Sequence, residues 1–414
     1  MRRPKGFVTR QAKRLSDGEI NRRRFVMSAL SAGVTMPTAL SLASKAAASP
    51  PRPGGVLRIA TGNASDGMSQ LLNLATGNCL TERTAQGDLV GELAESFEAS
   101  DDQTIWRFLL RGDAAFQNGQ DISAEDVAAT LENTKGFLPP ISSVRTDGSK
   151  AVVVSLARPD PSFADRLADP RFVITSQDGV ETTGGYRLEH REAGRVLLRR
   201  VSDYWKPDRA YFEAVEITSL PDIAARQSAL VAGDVDYADQ IDPRGLALLQ
   251  RAPGIRILEQ RNARVLVLSS KNAASLEDIA PAIPYQALVD RILLGHGMPA
   301  VGAPERALSR PPGVVSLAVH DAGVPRTLEV AKLISEQLER HAIQTRIVSP
   351  DATDPRAIHI KWQRSREAGG SDMAQLVALW ASDFAAHADS LAHRDVATDQ
   401  ENDGARLIER WWFT

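Results

Sequence analysis

His387 and His393 fall among Asp383, Asp389 and Asp395. Imidazole and carboxylate are donors that hold zinc or nickel, so this stretch is the first place to look for metal chemistry. A metal needs donors that converge at short range, and spacing along a chain does not supply that. The stretch reads first as a solvated polar helix or loop. The other histidines are scattered. The chain carries no G-x-S-x-G, Walker A, H-E-x-x-H or Rossmann fingerprint. Carboxylates are abundant, but no pair stands out as an acid–base couple. Cys79 is the single cysteine, so no intramolecular disulfide can form and stability must come from the core. It reads as a buried small residue. With no catalytic constellation, no cofactor fingerprint and no assured metal set, the chain reads as a binding protein rather than an enzyme.

Asn21 to Met27 reads NRRRFVM, and a weakly apolar stretch, Lys45 and Ala46-Ala47-Ala48 follow. The segment resembles a twin-arginine export signal, an address read by machinery that moves folded proteins across the bacterial inner membrane. Arg22 and Arg23 are the pair, and Phe25-Val26 fill the apolar positions after it. Phe25 to Ala43 is diluted by Ser28, Ser31, Gly33, Thr35, Pro37, Thr38 and Ser41. A membrane anchor wants about 20 predominantly apolar residues, so the dilution suits a signal better. The expectation is a signal peptide over 1–48, a Pro/Gly linker over 49–55 and a periplasmic mature protein. Without its first 48 residues the 414-residue chain keeps 366, with 39 basic and 50 acidic side chains, a formal charge of −11. That length exceeds the roughly 250–300 residues at which single cores stop growing, so two or more lobes are expected. That charge is poorly suited to phosphate backbones, which argues against nucleic acid as a partner.

The elements that must position any ligand group mix strands and helices throughout. Val56–Ala60 reads as a strand. In Thr104–Arg111, Trp106, Phe108 and Leu110 alternate onto one face, a half-buried strand. Ser123, with Asp126 three residues on and Val127 and Leu131 at helical spacing, predicts a capped helix to Glu132. Strands are expected at Ala151–Leu156, Arg195–Arg200, Val215–Leu220, Ile255–Glu259, Val265–Ser269, Ile343–Val348 and Ala357–Lys361. Helices are expected at Asp222–Ala232, ending at Gly233, at Tyr285–Leu294, and at Thr327–His341 with Leu328, Ala331, Ile334 and Leu338 on one face. Val301–Val315, rich in Pro, Ala and Gly, is expected as a long loop.

Five segments carry a family resemblance. Gly91–Thr130 (GELAESFEASDDQTIWRFLLRGDAAFQNGQDISAEDVAAT) matches at Leu93, Ala94, Ser96, Asp102, Trp106, Phe108, Leu110, Arg111, Phe116, Gly119 and Ala124 to Val127. The others are Gly184–Trp205, Asp222–Asp239, Tyr285–Pro299 with Asp290-Arg291 and Gly295-His296-Gly297, and Asp372–Asp383. Together they resemble the extracellular solute-binding proteins of peptide and nickel ABC transporters, the dipeptide- and oligopeptide-binding type of family 5. Most of these residues have structural reasons: a core face, a turn glycine at Gly119, a helix cap at Ser123.

The resemblance implies an α/β, two-lobed periplasmic binding protein with an extra inserted domain. Residues 56–80 and 183–265 would form the first lobe, 81–182 the insert, 266–400 the second lobe and 401–414 a C-terminal tail. Solute would bind in the interlobe cleft, and the lobes would close over it. The ligand-binding residues it implies are Asp383 and Trp380, at the family's W–D spacing, with Asp383 facing a solute ammonium, and Thr61, Asn63 and Ser65 after the first strand. The implied partners are a peptide or small polar solute, an inner-membrane ABC permease and the twin-arginine export machinery, for a monomer. Gly184-Gly185-Tyr186 lacks the family's proline, EDIAPAIPY replaces a basic run, and 31 residues follow Asp383. These departures predict a shortened second lobe and an open or shallow cleft. Two other functions stay open: a degenerate binding-protein fold that binds a partner protein, and a metal or metal-chelate binder using His387 and His393.

Overall fold

The computed structural model describes residues 22–31, 34, 36, 51 and 53–414, apart from 63–66, 300–312, 321–326, 352–353, 365–372, 394–395 and 398–401. Arg22–Ser31 is a helix. Ala46-Ala47-Ala48 and most of the loop expected at 301–315 lie outside the described residues. No helix among the described residues is long and apolar enough to cross a membrane.

Strand β1 (Val56–Thr61) is followed by a hairpin of β2 (Thr81–Arg83) and β3 (Leu89–Gly91). A four-stranded antiparallel sheet comes next, from β4 (Ala94–Ala99), β5 (Ile105–Leu110), β6 (Ile141–Thr146) and β7 (Ala151–Leu156), in the order β4-β5-β7-β6. The chain then builds β8 (Tyr186–Glu192), β9 (Arg195–Arg200), β10 (Ala214–Ser219), β11 (Tyr237–Ala238) and β12 (Ile255–Ser270). Further on come β13 (Gly297–Pro299), β14 (Val315–Val319), β15 (Thr345–Val348), β16 (Ile358–Arg364) and β17 (Ala374–Ala388). One eleven-stranded sheet runs β15-β14-β16-β12-β17-β11-β1-β10-β9-β8, with β13 paired to β17. β1 is parallel to β10 and β11, and β14 is parallel to β15 and β16. β18 (Leu391–Ala392) pairs with β19 (Trp412–Phe413).

Separate cores sit along this frame. Leu57, Ile59, Tyr186, Phe212, Ile217 and Trp411 pack in the first lobe. Leu266, Leu268, Leu317, Ile334 and Trp362 pack in the second. The four-stranded sheet closes on its own cluster, with Phe108, Val127 and Phe163 at its centre. The fold is the two-lobed α/β arrangement that the resemblance implied.

Local chemistry accounts for the elements. Trp106, Phe108 and Leu110 are buried while Ile105 between them is exposed, the period-two alternation of a one-sided strand. Ser123 caps Ala124–Thr134 with a full capping box: its Oγ accepts from Asp126 N–H, and Asp126 Oδ2 accepts from Ser123 N–H at 2.9 Å. Asp222 caps Ile223–Ala232, and Gly233 ends it at φ +78°. The left-handed conformation there costs glycine little.

Three expectations need correction. The strands expected at Ile255–Glu259 and Val265–Ser269 are one 16-residue strand, β12. The polar interval between them is a bulge, with Asn262 at φ +55°, a conformation asparagine tolerates. In Thr327–Arg340 the buried face holds Val330, Ala331, Ile334 and Leu338, while Leu328 is 48% exposed. The helix expected to Leu294 stops at Arg291, and Leu294 and Gly295 both take positive φ.

Within the segment expected as a tail, 401–414, Arg406, Leu407, Ile408, Glu409, Trp411 and Trp412 are buried. An ion network holds it. Arg406 donates to both Glu92 oxygens at 2.7 Å, and Arg410 donates to Glu82 at 2.7 Å. Lys206 Nζ reaches Glu92 at 2.5 Å, Glu409 at 2.8 Å and Glu82 at 3.2 Å. Burial pushes the Glu409 carboxyl up, but Lys206 and Arg406 outweigh it and hold it well below the usual carboxylate range. Replacing Arg406 by Met should remove a charge that buried carboxylates require. The expected loss is on the order of 3–5 kcal/mol, read as an earlier urea midpoint.

His387 is buried and donates from Nδ1 to the Ala388 carbonyl at 2.8 Å. Burial pushes its pKa from 6.5 down to about 4. The unfolded chain therefore binds a proton below about pH 6.5 that the folded chain refuses until about pH 4. Stability from this group is complete above 6.5 and is lost as pH falls through that window, by roughly 3 kcal/mol. The unfolding temperature should fall less steeply between pH 6.5 and 4 in His387→Gln than in the parent.

Candidate functional site

The ends of β1 and β11 are locked to one another before any ligand is considered. Thr61 Oγ1 donates to Asp239 Oδ2 at 2.8 Å, and the Gly62 N–H donates to Asp239 Oδ1 at 3.0 Å. Arg226 is fully buried and donates to the carbonyls of Leu220, Pro221, Asp239 and Gln240. A Cβ on Gly62 would lie 2.5 Å from Gln240 Oε1 and 2.8 Å from Arg226 Nη1, so the close approach needs glycine.

Beside this lock the two longest strands cross between the lobes. β12 pairs with β17 from Ile255↔Ala388 to Ser270↔Ala374. The register slips between Gln260↔Asp383 and Arg264↔Ala381. At the slip Arg264 Nε donates to Asp383 Oδ2 at 3.3 Å, with the side chains 11% and 12% exposed. The Phe384 N–H donates to Asp383 Oδ1 at 3.0 Å.

A cavity of about 50 Å³ opens at this slip. Gln240, Ile241 and Pro243 line it from the first lobe; Ile292, Leu293 and Trp362 line it from the second. Arg264 and Ala381 to Phe384 line it from the crossing strands. The wall is mostly apolar, with one ion pair at its edge. Such a wall strengthens any charge interaction made inside it.

The expected site residues are placed unevenly. Asp383 lines the cavity. Trp380 stands on β17 opposite Val265 and Met298, half-buried, and is not among the lining residues. Thr61 is buried, is not among the lining residues and donates its hydroxyl to Asp239. Asn63 and Ser65 lie outside the described residues. Arg264, Trp362, Gln240 and Phe384 went unnoticed in the sequence. Arg264 sits in the polar interval QRNAR, and Trp362 lies one residue beyond the strand expected at Ala357–Lys361.

Two other clusters bring potential metal donors together. His387 meets Trp411 edge-on and His393 meets it tilted, with ring centroids 5.1 and 4.6 Å away, so both pack against a tryptophan of the core that holds Leu57 and Phe212. Asp395 lies outside the described residues. Glu82, Glu92 and Glu409 bring carboxylate oxygens within 4.8 Å of one another. Lys206, Arg406 and Arg410 already neutralise that trio.

Residues 88–313 match the family of bacterial extracellular solute-binding proteins, family 5 (middle region), and the chain belongs to it. It is similar to the probable D,D-dipeptide-binding periplasmic protein DdpA of Escherichia coli K12, 25% identical over 240 residues, 51% of this chain and 46% of that protein. It is also similar to the glutathione-binding protein GsiB of Salmonella paratyphi A, 24% identical over 328 residues, 67% of this chain and 64% of that one. The chain thus spans between about half and two thirds of the length of these curated relatives. Among solved structures, AgaA of A. tumefaciens R10 in complex with agropinic acid superposes with a TM-score of 0.73. The identity is 17%, over 87% of this chain and 99% of that one, which shows a shared fold.

Asp383 is the carboxylate that Arg264 faces across the slip. Asp383→Ala should cost about 2 kcal/mol of stability, the worth of a charge-assisted hydrogen bond, while Asp383→Asn should cost less. Urea unfolding of the two variants beside the parent checks the order.

Proposed function

We propose that the protein is the solute-binding component of an ABC importer, taking a peptide or similarly small polar solute between its lobes and delivering it to an inner-membrane permease. One observation carries this reading: the cavity is lined from both lobes and from the two strands that cross between them. A ligand there touches both sides, and differential contacts of that kind are what closure requires. Family membership and the dipeptide- and glutathione-binding names of the relatives support the same class.

In this reading Asp383 belongs to the site, and Thr61 acts through Asp239 by fixing the Gln240 backbone. Asn63, Ser65 and Trp380 are proposed contacts at the margins of the cleft. Residues 56–80 and 183–265 serve as the first lobe, 81–182 as the insert, and the second lobe starts at 266. The twin-arginine-like leader takes a folded monomer to the periplasm, where such receptors meet their permeases. Capture without chemistry is the role; no catalytic group is invoked.

A ligand that binds the folded state alone must raise its stability. A short-peptide mixture at saturating concentration should raise the unfolding temperature by about 5 °C. A rise with nickel chloride but not with peptides would move the function to metal uptake. No rise with either would contradict solute capture and favour a partner-binding role for the fold.

A further inference from the structure

We propose that His320 and His359 form a binding site for a divalent transition-metal ion such as zinc, on the sheet of the second lobe and apart from the interlobe cavity. His320 Nε2 and His359 Nδ1 face each other at 2.8 Å, with ring centroids 5.0 Å apart and ring planes at 45°. Neither residue lines the cavity. The site is independent of solute capture. The sheet holds both rings in place. β14 and β16 are parallel neighbours, with Ala318 opposite His359 and Val319 opposite Ile360. His320 directly follows β14, and its N–H continues the ladder by donating to the Ile360 carbonyl at 3.1 Å. Ile358 and Ile360 are buried in the second-lobe core. His359, between them, therefore points to the opposite face of the sheet, and both histidines are half-buried. Donors carried on strands are held more closely than donors on loops.

The pair supplies what such an ion needs. Neutral imidazole is a donor for zinc, nickel and copper. Burial holds both imidazoles below the usual histidine range; the charges of His359 and Lys361 add to this at His320 while Asp351 opposes it, and Lys271 adds to it at His359. Both rings are then neutral at neutral pH. Two nitrogens on one zinc ion, each about 2.0–2.1 Å from it, lie roughly 3 Å apart. The observed 2.8 Å is close to that, so a small opening of the pair admits an ion. Without metal, the N–H of one ring sits between the two nitrogens. With metal, that proton moves to the other nitrogen of the same ring, which stays neutral, and both lone pairs face the ion. Among the described residues no third histidine, cysteine or carboxylate converges with the pair, so water completes the shell. Two donors near the positive charges of Lys271 and Lys361 make a weaker site than a closed four-ligand zinc centre.

The test is isothermal titration of the full chain with zinc chloride and with magnesium chloride. Zinc should bind, and magnesium, which takes oxygen donors, should not. His359→Phe keeps a ring on the strand and removes the donor, and it should weaken zinc by at least about tenfold. Any rise in unfolding temperature with nickel chloride should vanish in the same variant, which separates this pair from metal capture in the cleft. A further reading does not depend on how the variant folds. In the parent chain with isotope-labelled histidine, substoichiometric zinc should shift the imidazole resonances of His320 and His359 before those of the exposed His190 and His341. If His190 or His341 responds first, if His359→Phe binds zinc or responds to nickel like the parent, or if zinc does not bind the parent, the pair is a hydrogen bond between strands and the metal site is wrong. None of these outcomes bears on peptide binding, so solute capture stands or falls separately.

Discussion

Two strands have to belong to both lobes at once. β12 and β17 pair along nearly their whole lengths, and their two halves sit in different cores: Leu266 and Leu379 in one, Leu258 and Ala385 at the other. The ladder slips by one residue at Leu266–Val267 and by two at Gln260–Arg264, and the larger slip falls between the stretches that pack in the two cores. It leaves space beside the strands, turns Arg264 and Asp383 toward each other and brings Gln240 and Trp362 to one cavity. The cavity follows from the crossing, as does the single sheet that joins the lobes.

A second constraint fixes what lies outside the crossing. Glu82 comes from β2 and Glu92 directly follows β3, Lys206 lies between β9 and β10, and Arg406, Glu409 and Arg410 come from the last residues of the chain. Three segments far apart in sequence share one buried set of balanced charges. Each charge is costly alone and tolerable together, so the network specifies how these segments dock more than it adds stability. Tyr204 and Asn78 complete it, as neutral donors to Glu409 and Glu92. Lys206, Arg406 and Arg410 answer the charge of the three convergent glutamates there.

Much of the frame was legible in the residues. The run from Gly91 to Thr130 carries its core face, its turn and its capping box in consecutive positions, and each has a local physical cause. Gly233 and Asp222 mark their helix ends for the same reason. What escaped depends on contacts made at long range. Arg264 and Asn262 look like a loop because polar residues interrupt two apolar runs; pairing with β17 overrides that local signal. Trp362 looks like core, and only its place at the cavity shows that its nitrogen lacks an acceptor. Leu328 lies one position, about 100°, from the face that packing selects. The family resemblance singles out Asp383, but its ion pair with Arg264, 119 residues earlier, is invisible without the fold.

The account makes the crossing of β12 and β17 the place where solute and both lobes meet. Hydrogen–deuterium exchange with and without a saturating short-peptide mixture tests this most directly. The prediction is slower exchange at Gln240–Ile241, at Arg264 and at Ser382–Phe384 together, with the rest of the first-lobe sheet unchanged. Protection confined to one lobe, or centred on the Glu92–Arg406 network, would contradict it.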